Sequence, residues 1–189
     1  MNEKLRKDLL QVMKTIHKFI KEDNIVGIRN WSDHIIHSAS IYQDKYSIKT
    51  TVMIYALSDI MGDKKFRELY PEEFNKFKER VIVDIEKAIF YLEKRDFGGY
   101  EGEMIDIMRA IARIDSRFSK HVGVILRKAR IVKGSWMHHH GISLGRISKL
   151  LGITKWELMR KIGGMKEDVP ERGVGRLDIA REFFGEKNE

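Results

Sequence analysis

Residues 142–163 read I-S-L-G-R-I-S-K-L-L-G-I-T-K-W-E-L-M-R-K-I-G, and the rest of the chain is best understood outward from them. Leu144, Ile147 and Leu151 fall on one face of a short helix running from about Ser143 to Leu151. Ser148 is small enough for a second helix to cross closely. Gly152 supplies a left-handed backbone that ends the helix without a Cβ penalty, and Ile153 turns back toward a core. Thr154 is placed to cap a following helix, with Glu157 three residues later completing a capping box. Leu158 and Ile162, four apart, form that helix's inner face. Its outer face then carries Lys155, Trp156, Arg160, Met159 and Lys161.

This pair of helices hinged at glycine resembles the helix-turn-helix of DNA-binding proteins, whose second helix lies in the major groove. The stretch L-L-G-I-T-K-W-E-L is also similar to the C-terminal segment of archaeal regulators and antitoxin-like proteins. The resemblance covers this segment closely and the rest only loosely. It implies a regulator or a toxin–antitoxin context, with Thr154, Lys155, Trp156, Arg160 and Lys161 facing DNA. The pattern departs at Lys161, where the motif usually has an apolar residue and Ile162 comes one step late. An ordinary helical hairpin within a bundle is the competing reading.

Charge is concentrated around the same stretch. The chain of 189 residues carries a formal net charge of +8. Between Ser116 and Met165 stand eleven basic residues and a single acid, Glu157, so the remainder is slightly acidic. A phosphate-binding surface has this footprint, whereas an ordinary solvated surface mixes the two signs. Arg146, Lys149, Arg127, Lys128 and Arg130 are therefore expected to hold phosphates, and double-stranded DNA is the expected partner.

The N-terminal part reads as helices throughout. Leu5, Leu9, Val12, Met13, Ile16 and Ile20 make one stripe over residues 4–20. Asp23, Asn24 and Gly27 break that helix, and a second is expected to start near Asn30 or Ser32. A third, near 47–61, holds Val52 to Leu57 in apolar succession and should be central to the bundle. Pro71 with Glu72 and Glu73 marks a helix start, continued by Phe74, Phe77, Val81, Ile85, Ala88 and Leu92. Another helix is expected over about 101–114, and a long basic one from Asp115 or Ser116 past Val132. Phe118, Val122, Ile125, Ala129 and Val132 step along that helix as a seam for the bundle or for a second copy. Gly134 to Gly141, with Trp136 and three consecutive histidines, reads as a flexible joint. A last helix is expected over Arg176–Phe184.

The fold class is thus all-α: an N-terminal helical bundle over residues 1–115, and a C-terminal part over 116–189 holding the helix-turn-helix. The bundle's expected tasks are sensing, dimerisation or partner binding, and a homodimer is expected. The chain has no cysteine, which excludes disulfides and thiolate metal sites. No apolar run nears the roughly 18 residues of a membrane span, and the N-terminus lacks an apolar signal core. A soluble cytoplasmic protein without membrane contact is expected. Two glutamines and five asparagines against 36 Lys and Arg resemble a thermophile's usage.

Chemistry is harder to place. Arg29-Asn30-Trp31-Ser32-Asp33-His34 resembles the R-N-x-x-x-H arrangement of HEPN ribonucleases, helical enzymes often paired as toxins. The resemblance implies that Arg29 and His34 hold the scissile phosphate and assist proton transfer while Asn30 orients them. That family places its motif before the last helix of its bundle, whereas here it precedes the second. The alternative is a helix cap whose Trp31 packs inward. His34 and His37 share a helical face and form a weak metal-ligand pair. No phosphate loop, dinucleotide fingerprint or nucleophile elbow is present, and no cofactor is expected.

Overall fold

The computed structural model of the chain describes residues 1–42, 44–118 and 124–164, without the side chains of residues 34, 37–40, 42, 115–118 and 124. The described residues form helices joined by short turns, with no strand among them: α1 (Glu3–Lys21), α2 (Ile25–Tyr42), α3 (Lys45–Met61), α4 (Lys64–Leu69), α5 (Pro71–Glu93), α6 (Phe97–Phe118), α7 (Val124–His139), α8 (Leu144–Leu151) and α9 (Lys155–Gly164). The fold class is all-α. No described helix is long and apolar enough to cross a membrane.

Local chemistry starts most of these helices. Asn2 accepts from the Leu5 amide at 2.8 Å, Asp44 from the amides of Tyr46 and Ser47, and Asp63 from that of Phe66. Each satisfies backbone donors that the first turn leaves without a helical partner. Pro71 opens α5, where its missing N–H costs nothing.

Helix α3 is the axis of the molecule. Ile48, Val52, Met53, Ile54, Ala56, Leu57, Ile60 and Met61 are all buried, which is possible only for a helix surrounded on every side. It packs against α1, α2, α6, α7 and α8. A single buried cluster runs from Leu5 on α1 through α3 to Ile147, Leu151 and Leu158 on α8 and α9.

Three boundaries differ from expectation. Helix α2 begins at Ile25, not at Asn30 or Ser32. Asn24 supplies the side chain at its start, accepting from Gly27 at 2.8 Å, and Asn30 is an exposed residue within the helix. Helix α6 starts at Phe97 and runs unbroken through Asp115 and Ser116, so the division at 115/116 falls inside a helix. Asp96 accepts from the Gly99 amide at 2.9 Å, so Gly98 and Gly99 sit in the capped first turn of the helix. Helix α7 continues through Gly134, Ser135, Trp136 and Met137 to His139, where a flexible joint was expected. Packing outweighs the low helix propensity of glycine at that point. A Cβ on Gly134 would stand 2.8 Å from Leu158 and 3.0 Å from Ile147, so its absence lets α8 and α9 press onto α7. The expected helix at Arg176–Phe184 lies outside the described residues.

Candidate nucleic-acid interface

Helices α8 and α9 are joined by a tight turn at Gly152 whose hydrogen bonds follow the sequence closely. The Ser143 side chain accepts from the Arg146 amide and opens α8. Gly152 closes it at φ +64°, the left-handed region where other residues pay a steric cost. The Ser148 carbonyl accepts from the amides of both Gly152 and Ile153, and the Ser148 hydroxyl donates to the Ile153 carbonyl. The turn is thereby fixed from one side chain and one carbonyl.

The capping box at α9 is complete. The Thr154 amide donates to Glu157 Oε2 at 2.7 Å, and the Glu157 amide donates back to Thr154 Oγ1 at 3.2 Å. Arg127 on α7 adds two bonds, from Nε and Nη2 to Glu157 Oε1, at 2.9 and 2.5 Å. The Thr154 amide and hydroxyl, then Arg127, hold the Glu157 carboxyl down to about 2. One carboxylate therefore caps α9 and ties it to α7.

Leu158 is fully buried against Gly134, and Ile162 is half-buried, so both face inward. Lys161 points to solvent. The apolar pattern's late step at Ile162 thus leaves Lys161 on the outer face. Lys155, Trp156, Met159 and Arg160 are exposed with it, Trp156 at 76% and Met159 at 50%. Lys149 on α8 is exposed as well, as are Arg146 and Thr154.

Three of the four basic residues of α7 are held by acids. Arg127 is engaged by Glu157. Lys128 reaches Asp59 of α3 at 2.8 Å, and the same carboxylate binds Arg29 of α2 at 2.8 Å. The Asp59 hydrogen bond raises the Lys128 ammonium above its ordinary value. Lys133 is buried and paired with Asp33, its ammonium 4.4 Å from the centre of the Tyr55 ring. Arg130 is half-buried beside Leu126 and Leu150. The positive run of residues 116–165 is therefore partly neutralised by Asp33 and Asp59, acids that the one-dimensional count assigned to the other half of the chain.

The Arg29–Asn30–His34 constellation is only partly visible. Arg29 is held by Asp59, and Asn30 is exposed and makes no hydrogen bond to Arg29 among the described residues. The side chains of His34 and His37 lie outside the described residues. Among the described residues no group of three or more metal-binding side chains comes together. His138 contacts the Ile142 carbonyl at 3.0 Å through Nδ1 and closes the end of α7. Comparison of the chain with protein-family models, curated proteins and solved structures finds no match.

Proposed function

We propose that the chain binds double-stranded DNA through the outer face of α9, as a homodimeric transcriptional regulator. One observation carries this. A short helix, capped at its start and anchored by Leu158, turns Lys155, Trp156, Arg160 and Lys161 together to solvent. In the major groove, Lys155 and Arg160 would reach guanine edges, and Trp156 would lie along a groove wall or a thymine methyl. Lys149 and Arg146, one helix earlier, would meet flanking phosphates. Glu157 already occupies the amide end of α9, so phosphate contact falls to side chains and not to the helix terminus. Arg127 and Lys128 are exposed too but tied to Glu157 and Asp59, and contribute less than Lys149, Lys155, Arg160 and Lys161.

Trp156 and Met159 favour a second reading, because an exposed aromatic beside a methionine also suits a protein partner such as a toxin or an antitoxin. Selection of bound molecules from a random duplex DNA pool, with an RNA pool in parallel, separates the two. Enrichment of a duplex motif is expected. Lys155→Ala with Arg160→Ala should erase that preference, at about 2 kcal/mol per lost base contact, while weaker salt-sensitive binding persists. No duplex enrichment, or equal loss on random and selected sequence, would remove the base-reading role from α9.

A further inference from the structure

Between α3, α6, α7 and α8 lies a cavity of about 340 Å³. Its walls are apolar: Val52, Met104, Met108, Leu126 and Leu150 line it. Four charged residues stand around them, and three are already engaged. Lys49 binds Glu101 at 3.1 Å, and Glu101 also holds Lys45 at 2.6 Å. Arg109 pairs with Asp106 at 3.0 Å, one turn away on the same helix. Arg130 has no hydrogen-bonding or ion-pair partner among the described residues, although it is half-buried at the cavity wall. A guanidinium removed from part of its water and given no anion is a site that lacks its complement.

We infer that this cavity binds a small amphipathic organic anion, an aliphatic or aryl carboxylate whose acid meets Arg130 and whose body lies between Met104, Met108 and Leu150. The volume is at the small end for ligand pockets and too small for a docked helix. Apolar walls with one unengaged cation suit a monoanion and not a nucleotide, which would bring several phosphates and polar base edges. A carboxylate also makes two parallel bonds with a guanidinium. Methionines at 104 and 108 can repack around chains of different shape. The site does not depend on the DNA-binding proposal, and its test uses no nucleic acid.

Octanoate, 1-octanol and octylamine serve as probes with the intact chain labelled at its methionine methyls, Met104 and Met108 being assigned by Met104→Leu and Met108→Leu. Saturable shifts of those two signals with octanoate are expected, with affinity about tenfold or more above 1-octanol. Arg130→Gln should reduce octanoate to the level of the alcohol. Ala112→Phe, at an exposed edge of the cavity, should block both without disturbing the core. Octylamine binding as well as octanoate, no saturable shift, or octanoate affinity unchanged in Arg130→Gln would each overturn the inference. So would shifts that follow protein concentration without any probe, which would mark a second copy in the groove.

Discussion

Lys133 sits where a positive charge is least at ease, with 2% of its surface exposed where α7 meets α2 and α3. Burial pushes its ammonium below the ordinary lysine value, and the Asp33 carboxylate opposes that shift. The pair is unequal, because the Asp33 side chain keeps 45% of its surface in water. Removing one partner should therefore differ sharply from removing the other. Asp33→Asn strands a buried cation and should cost about 3 kcal/mol, whereas Lys133→Met leaves a solvated carboxylate beside an apolar chain and should cost about 1 kcal/mol or less. Urea midpoints of the two variants measure this, and equal losses would show that the ion pair itself supplies the stability. The pairing could not be read in the sequence. Lys133 was one of eleven basic residues in a run, and its acid lies a hundred positions earlier.

At the scale of elements, α9 was legible almost residue by residue: Gly152, the Thr154–Glu157 box, and Leu158 inward with Arg160 outward all follow from spacing. Such features are local, since each joins residues three or four apart. Its acid response follows from the same cap. Glu157 has a carboxyl depressed from 4.5 to about 2, so its contribution is whole above the ordinary value and is lost as pH falls through about 2. The Thr154 amide proton, which points at that carboxylate, should hold its chemical shift down to about pH 3 and then titrate with a midpoint near 2. In Glu157→Gln the titration should vanish. A midpoint at 4 or above in the native chain would mean that neither Thr154 nor Arg127 holds the carboxylate in solution. Where the sequence misled, the cause was also physical. Asn30 and Ser32 are good caps by type, yet Asn24 took the position earlier and left Asn30 inside α2. The helix expected from about 101 starts at Phe97 instead, its glycines 98 and 99 lying in a turn capped by Asp96. Breakers end helices only where no capping or packing opposes them.

For the whole molecule, the question is whether α8 and α9 ride on the bundle or form part of it. The buried cluster passes without interruption from α1 through α3 to Leu158, and Leu158 of α9 seats against Gly134 of α7. The fold class was legible because every stripe repeats at helical period. This join was not, because glycine in the middle of α7 reads as a hinge until Leu158, Ile147 and Leu151 are seen around it. Valine at 134 would bring its Cβ to 2.8 Å from Leu158 and 3.0 Å from Ile147, with two further methyls to place. Overpacking of this kind costs about 2 kcal/mol. In a chain of this length that lowers the melting temperature by about 6 °C. Because the core is continuous, Gly134→Val should move one calorimetric transition as a whole. Gly145→Ala is the control: its Cβ would meet nothing nearer than Lys155 Cε at 3.7 Å, and the gain in helix propensity should leave the chain slightly more stable. If Gly134→Val instead split off an early transition and left the main one in place, α8 and α9 would be a separately folding appendage, and the rigid presentation of Lys155 and Arg160 would have to come from something other than their seat on α7.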